Sequence, residues 1–259
     1  MEYAKGFKFR IYPNAEQQKI INKTLGCARF VYNHFLAVRR DSWQEKHESV
    51  TYVKSSRLLT EMKCNPNFVW LKSVDSMALQ EALRNLDRAF QNFFKKQSGY
   101  PKFKSKHSHN QSYRTRNQSG GIRIIDGNIK LPRIGIVKTK LSREFEGRIL
   151  NATVSRTASG KYFVSLCVEM DIELLLGRNN GRQIGIDVGI KDFYSNDQGN
   201  TVANPHILKG MEKKLKHLQR SLSRKAKGSN NCNKARIKVA RLQERIANIR
   251  KDFLHKEST

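Results

Sequence analysis

An aspartate inside an apolar segment is the clearest candidate for a chemical role in this sequence. Residues 183–190 read QIGIDVGI and are nearly all apolar, which is typical of a buried central strand. A buried ionised carboxylate is unfavourable unless a cation offsets its desolvation, and the flanking Gly185 and Gly189 would let a ligand approach closely. Both observations fit Asp187 as a metal ligand. The alternative is an aspartate at a strand end that bonds backbone N–H groups or pairs with Lys191.

A second group of residues is typical of phosphate binding. Between residues 209 and 256 the sequence holds sixteen lysines and arginines against three acidic residues. Two predicted helices in this stretch have apolar seams, so we expect the cations to line the outside, where phosphate contacts are made. A solvated helix face is the alternative, but few i,i+4 ion pairs are available to it. The residues that we single out for nucleic-acid binding are Lys213, Lys216, Arg220, Arg224, Lys234, Lys238, Arg241 and Arg245.

Aromatic and basic residues interleave in residues 99–106, which we call the connector. Such a segment combines rings on which bases can stack with cations that can contact the nucleic-acid backbone. The candidate binding residues of the connector are Tyr100, Lys102, Phe103, Lys104 and Lys106. The alternative is a connector whose Phe103 is buried against neighbouring strands.

The composition points to a polyanionic partner. The 259 residues include 50 Lys+Arg and 22 Asp+Glu, a formal net charge of +28. Such a charge repels itself unless a polyanion neutralises it, so we expect nucleic acid as the partner. An anionic membrane surface is the less favoured alternative, because the charge is spread along the whole chain. The hydrophobic content of 38% excludes wholesale disorder, and no apolar stretch is long enough to span a membrane.

The cysteines indicate a reducing compartment. Cys27, Cys64, Cys167 and Cys232 lie far apart in the sequence and form no CxxC pair. We therefore expect the free thiols of a cytoplasmic protein and no zinc site built from these residues. The first residues show no signal-peptide core, in agreement with that location.

Hydrophobic periodicity predicts a helical region over residues 14–98. Asn14 and Gln17 form the pattern of a capping box, and apolar residues follow at steps of three and four. A second helix, capped by Asp75 or Ser76, repeats apolar residues at 4-3-4-3, the spacing of a helix packed on other helices. The predicted apolar faces consist of Ile21, Leu25, Ala28, Tyr32 and Phe35 in the first helix and of Leu79, Leu83, Leu86, Phe90 and Phe93 in the second. The two tryptophans of the chain are expected in the same core.

Strand-like runs follow the connector between residues 121 and 169, where Gly, Asn and Asp separate them. The N-terminal run 5–12 also alternates but has no partner nearby, so we expect it to join the later strands in a β-barrel interrupted by the helical region. Tyr113, Arg114 and Arg116 could contact phosphate, although alternation along a strand explains them equally well. The predicted fold is α+β and ends in a pair of helices.

Four stretches of the chain resemble, in this order, the TnpB/OrfB family of insertion-sequence proteins. The first is GFKFRIYPN at residues 6–14, and the second is CARFVYN at residues 27–33. The third runs from Ala82 to Lys106 and ends in GYPKFKSK at residues 99–106. The fourth is QIGIDVGIKDF at residues 183–193, which is similar to the first RuvC motif of the family. The resemblance covers essentially the whole chain.

This resemblance implies a wedge β-barrel from residues 1–13 and 99–180 and an inserted helical recognition lobe from residues 14–98. Residues 181–259 would then begin an RNase-H-like RuvC domain and include the basic helical hairpin. The family's RuvC centre uses several carboxylates to hold Mg²⁺, and Asp187 matches the first of them.

The later carboxylates of the family, and its zinc-binding insert, are expected beyond residue 259. We therefore expect a truncated RuvC domain, no DNA cleavage by this chain alone, and an uncovered edge on the strand at residues 184–190.

Three functional hypotheses follow from the charge and the resemblance. The first is a TnpB-like protein that binds guide RNA and target DNA without cleaving on its own. The second is an active RNA-guided DNA endonuclease that a missing C-terminal part completes. The third is a plain basic RNA-binding protein with no guide. All three place the protein in the bacterial or archaeal cytosol or nucleoid.

Overall fold

The fold is taken from a computed structural model, which describes residues 2–108, 111–171 and 183–258. The chain divides into two compact units, Met1–Glu173 and Leu174–Thr259, and each is described by itself. The domain boundary predicted between residues 180 and 181 lies outside the described residues. The predicted domain boundaries therefore stay predictions.

A seven-stranded antiparallel sheet is the centre of the first unit. Its strands are β1 (Glu2–Tyr12), β2 (Gln111–Arg116), β3 (Arg123–Ile125), β4 (Asn128–Leu131), β5 (Gly135–Lys140), β6 (Arg148–Arg156) and β7 (Tyr162–Asp171). The order across the sheet is β2-β6-β7-β1-β5-β4-β3. The N-terminal strand pairs with both β7 and β5, which confirms that it joins the later strands. Within the described residues no ladder joins β2 to β3, so closure into a barrel stays a prediction.

The helices of the first unit are inserted between β1 and β2. They are α1 (Ala15–Lys46), α2 (Tyr52–Cys64), a 3-10 helix over Pro66–Ser73, and α3 (Ser76–Phe94). The capping box of Asn14 and Gln17 is present, and Asp75 rather than Ser76 caps α3. Sequence periodicity did not single out α2, whose interior face buries only Ser55 and Leu59.

One hydrophobic core joins these helices to the sheet. The predicted apolar face of α1 is buried, and so are Leu79, Leu83 and Leu86 of α3. From the sheet, Phe7, Phe9 and alternate residues of β6 and β7 enter the same cluster. The prediction that both tryptophans are core residues is wrong, because Trp43 is 58% and Trp70 is 39% exposed. The Trp70 indole is held at the surface, where Nε1 donates a hydrogen bond to the Asn67 carbonyl at 3.0 Å.

The second unit contains a three-stranded sheet and two helices. Its elements are β8 (Ile186–Asp187), β9 (Asp192–Asn196), β10 (Thr201–Ala203), α4 (Ile207–Ser223) and α5 (Asn230–Glu257). The predicted buried strand is wrong here, because β8 is an edge strand of two residues and Ile190 is 90% exposed. The other apolar residues of the segment, Ile184, Ile186 and Val188, are also exposed. Within the described residues the ladder with β9 is the one that β8 makes, and the expected uncovered edge stays a prediction.

Candidate nucleic-acid interface

The helices α4 and α5 form the terminal hairpin, whose apolar seams face each other. Val239, Leu242 and Ile246 of α5 are buried. The α4 side of the seam is half-buried and consists of Met211, Leu215, Leu218 and Leu222. The two helices pack together because each is amphipathic, as the sequence predicts.

The cationic residues of the terminal hairpin all lie on its surface. The eight predicted binding residues are exposed, and so are the other eight lysines and arginines between residues 209 and 256. Ion pairs between residues four positions apart include Lys216 with Glu212 at 2.7 Å and Lys256 with Asp252 at 2.9 Å. The hydrogen bond from Lys216 lowers the pKa of Glu212. The surface keeps a large excess of positive charge, which is the requirement for phosphate binding.

The aromatic residues of the connector are exposed and held in place from the side. Phe103 is 52% exposed and lies 5.7 Å from the Arg40 guanidinium, so the alternative in which it is buried is wrong. The Tyr100 ring meets Phe90 and Phe93 edge-on, with centroid distances of 5.7 and 5.4 Å. Exposed rings with fixed orientation are suited to stacking on bases.

Hydrogen bonds attach the connector to α1 at Lys104. The backbone N–H of Lys104 donates to Asn33 Oδ1 at 2.8 Å, and Asn33 Nδ2 donates to the Lys104 carbonyl at 3.0 Å. The Lys104 ammonium lies 4.1 Å from the centroid of the Tyr32 ring, and its desolvation there lowers its pKa. Lys102 and Lys106 are exposed. Lys104 therefore has a structural contact that the other two lysines do not share in the described residues.

Sequence reasoning missed a cleft of about 500 Å³ between the connector, α1, α3 and β2. Its lining includes the cations Arg29, Lys104 and Arg114 and the buried apolar residues Leu25 and Ala82. No sequence signal marks the cleft, because Arg29 and Arg114 are far apart in the chain and only packing brings them together.

Asp187 lies at an exposed edge of the second unit. It pairs with Ser195 in the β8–β9 ladder, and its side chain is exposed rather than buried. The nearby Asp197 carboxylate accepts a hydrogen bond from the Gly185 N–H at 3.1 Å. In the described part of the chain no group of three His, Cys, Asp or Glu residues could hold a metal ion. Since Mg²⁺ takes several oxygen ligands, these residues alone do not make a magnesium site.

Cys27, Cys64, Cys167 and Cys232 are free and lie on four different elements. Among the described residues, no helix has the length and apolar character to cross a membrane.

Two family models match the ends of the chain. A model described as a helix-turn-helix domain of OrfB proteins matches residues 1–48, and one described as a probable transposase of the OrfB type matches residues 165–259. In this structure the first match consists of β1 and one continuous helix, α1.

Two curated relatives match nearly the whole chain. A putative RNA-guided DNA endonuclease InsQ from Escherichia coli (strain K12) is 33% identical over 100% of this chain and 63% of its own length. A putative RNA-guided DNA endonuclease from Streptomyces pristinaespiralis is 39% identical over 98% of this chain and 63% of its own length. The chain thus spans 63% of the length of these relatives.

A solved structure also shows a distant likeness. The cryo-EM structure of the Cas12f1-sgRNA-target DNA complex is 13% identical, with a TM-score of 0.47 over 98% of this chain and 77% of that chain.

Proposed function

Because this chain belongs to the TnpB/OrfB family, we propose that it binds a guide RNA and target DNA. The observation that carries this proposal is the charge of the terminal hairpin. Between residues 209 and 256 it has sixteen exposed cations and only three acidic residues. In RNA-guided proteins the sequence is read by base pairing, so the protein needs mainly backbone contacts. An exposed cationic helix pair with a basic aromatic connector supplies both phosphate contacts and stacking surfaces.

The architecture that we propose follows the family. The sheet of residues 1–13 and 99–180 would be the wedge barrel, residues 14–98 the helical recognition lobe, and residues 181–259 part of an RNase-H-like RuvC domain. Binding of RNA and DNA by a protein whose cysteines are free would take place in the cytosol or nucleoid.

For the RuvC chemistry we propose that Asp187 is one ligand of a Mg²⁺ centre, with no cleavage by residues 1–259 alone. When bound, paired magnesium ions activate water and stabilise the leaving oxygen, which takes several carboxylates. Asp187 is exposed at the end of β8, where further ligands could approach it. Plasmid cleavage with Mg²⁺ tests this: intact plasmid is expected. Cleavage that Asp187→Ala abolishes would instead favour an active endonuclease.

A salt titration tests nucleic-acid binding. The affinity for a fluorescein-labelled RNA hairpin is measured by anisotropy from about 50 to about 200 mM salt. The full chain is compared with a variant in which Lys216, Arg220, Lys238 and Arg245 are changed to Gln. We expect the slope of log affinity against log salt to become shallower by about 3, at about 0.7–0.9 for each lost phosphate contact.

The matched control removes four exposed cations outside the terminal hairpin, Arg57, Lys72, Lys138 and Lys140, also by change to Gln. This control variant has the same net charge as the hairpin variant. Its slope of log affinity against log salt is expected to become shallower by less than about 1, because the slope depends on the number of phosphate contacts and not on total charge. Equal losses in the two variants would contradict the assignment to the terminal hairpin. An affinity of the unaltered chain that does not respond to salt would contradict nucleic-acid binding.

Sequencing the RNA that copurifies with the protein separates guide binding from general RNA binding. A guide-binding protein is expected to retain one predominant, locus-derived species. A heterogeneous RNA population would favour the plain basic RNA-binding protein instead.

A further inference from the structure

A buried carboxylate with three arginine partners lies where α3 meets β2. The Glu81 side chain is 4% exposed, and its partners are Arg84 on α3 and Arg114 and Arg116 on β2. We call these four residues the arginine cluster. Burial of a carboxylate is costly unless cations and hydrogen bonds offset its desolvation. Three guanidinium groups around one carboxylate leave this position with an excess of two positive charges.

The three arginines remain partly exposed to solvent although they contact Glu81. Arg116 Nε lies 2.6 Å from Glu81 Oε1, Arg84 Nε lies 3.4 Å from the same oxygen, and Arg114 Nε lies 3.7 Å from Oε2. Their side chains remain 49%, 45% and 33% exposed, respectively. Within the described residues the acidic contacts are made through Nε. Among the described residues no hydrogen bond joins a terminal η nitrogen to Glu81, and these nitrogens are part of the fork that binds phosphate.

Neighbouring side chains also contact two of the three arginines. The Arg84 guanidinium lies 4.9 Å from the centroid of the Tyr52 ring, and the Tyr52 hydroxyl donates to Gln80 Oε1 at 3.0 Å. Arg114 Nε donates to Asn151 Oδ1 at 3.1 Å. A side chain that already has such contacts loses less conformational entropy when a ligand binds, so Arg84 and Arg114 are partly preorganised.

The charge of the arginine cluster selects an anionic ligand. One carboxylate faces three guanidinium groups, and Arg114 also lines the cleft that contains Arg29 and Lys104. Guanidinium forks match the geometry of a phosphodiester, and β2 presents Arg114 and Arg116 two residues apart. We propose that Glu81 positions Arg84, Arg114 and Arg116 as a binding site for the phosphodiester backbone of a nucleic acid. This inference rests on the proposed function and adds to it a site away from the terminal hairpin.

The first test removes the three arginines together. Arg84, Arg114 and Arg116 are changed to Ala in the full chain, and the control changes three exposed arginines, Arg57, Arg133 and Arg143, to Ala. Affinity for a labelled RNA hairpin and for a labelled DNA duplex is measured by anisotropy over the same range of salt. We expect the slope to fall by about 2 to 3 in the cluster variant, and by less than about 1 in the control. If the triple variant does not fold, the single variant Arg116→Ala replaces it, and we expect its salt slope to fall by about 1.

The two probes identify which backbone is bound. A smaller slope with the RNA hairpin only assigns the arginine cluster to RNA, and a smaller slope with the duplex only assigns it to DNA. Unchanged slopes with both probes would overturn the inference while leaving the proposed function intact. Failure of the unaltered chain to bind either probe would overturn both.

The second test asks whether Glu81 positions the arginines. If Glu81 only lowers the local charge, Glu81→Gln removes one negative charge and should tighten binding to both probes. If it positions the guanidinium groups, Glu81→Gln should weaken binding several-fold, although the cluster has become more positive. Tighter binding would overturn the positioning role. Circular dichroism at the assay temperature verifies that the variant is folded.

Discussion

At the scale of single residues, Asp75 illustrates how one side chain can join a helix to a sheet. Its Oδ1 accepts the Met77 N–H at 3.0 Å and thereby caps α3, while Oδ2 accepts the Thr115 hydroxyl of β2. Burial, and secondarily the charge of Asp75, raises the pKa of Tyr113. A buried carboxylate is tolerated here because hydrogen-bond donors satisfy both of its oxygens.

Glu81 performs a similar role a few residues later, and its loss should be measurable. We expect Glu81→Ala to lower the free energy of unfolding by about 2 kcal/mol, since a charge-assisted hydrogen bond contributes about 1.5–3 kcal/mol. Breaking a fully buried ion pair costs about 3–5 kcal/mol, because it leaves a charge buried without a partner. The cost here should be smaller, since the three arginines are partly exposed and water can solvate them. Urea denaturation measures the difference. Glu81→Gln keeps one oxygen acceptor and should lose less; an equal loss would argue against the hydrogen bond as the cause.

His34 should make stability depend on pH. It lies among aromatic rings, with centroids 5.8 Å from Phe30 and 5.2 Å from Phe35, and desolvation lowers its pKa below 6.5. The unfolded chain therefore takes up a proton on this histidine at a higher pH than the folded chain does. The contribution of His34 to stability is complete above about pH 6.5 and falls as the pH drops through that value.

Thermal melting at pH 7.5 and pH 5.0 tests the contribution of His34. We expect His34→Asn to reduce the loss of stability between the two pH values, because the substituted side chain does not titrate. The matched variant His217→Asn changes an exposed histidine and should leave the loss unchanged. A loss that is the same in all three proteins would contradict the prediction.

At the scale of elements, the start of α1 is fixed by hydrogen bonds that its own sequence supplies. Gln17 N–H donates to Asn14 Oδ1 at 2.8 Å, and Asn14 N–H donates to Gln17 Oε1 at 3.0 Å. The Gln17 amide also donates to the Ile136 carbonyl of β5 at 2.7 Å. This cap therefore both starts the helix and attaches it to the sheet.

We expect Asn14→Ala to destabilise the protein by about 1 kcal/mol, the usual cost of losing an N-cap side chain. For a unit of this size that corresponds to a fall in Tm of about 2–4 °C. Differential scanning calorimetry measures it, with Lys19→Ala as an exposed control on the same helix. Equal Tm values for the Asn14 variant and the unaltered chain would show that water replaces the cap without cost.

At the scale of the whole molecule, we expect bound nucleic acid to stabilise the folded chain, because its net charge is +28. RNA that binds only the folded chain should stabilise it by about 2.7 kcal/mol when free RNA is at about 100 times Kd. At about 200 mM salt the affinity falls by orders of magnitude, so the same RNA concentration should stabilise the chain little. Melting curves with and without the RNA hairpin at both salt concentrations measure this. A rise in Tm that persists at high salt would contradict the electrostatic origin.

Much of the fold could be predicted from local patterns in the sequence. The capping box of α1, the apolar faces of α1 and α3, and the two amphipathic helices of the terminal hairpin are all encoded within a few turns of each helix. The exposure of its sixteen cations follows from the same periodicity, because apolar seams that pack together leave the charges outside.

Other features were decided by tertiary structure alone. Glu81 contacts Arg116, which is 35 positions away in sequence, and Asn33 contacts Lys104, which is 71 positions away. No local sequence pattern predicts either contact. The apolar segment around Asp187 was predicted to be buried, but β8 is exposed. Hydropathy indicates only that burial of these side chains would be favourable. Whether they are buried depends on which elements pack against β8. Local spacing along this chain thus determined its helices and its cationic surface. The packing of distant segments determined the arginine cluster, the cleft and the surroundings of Asp187, because these contacts form only when the whole fold brings their residues together.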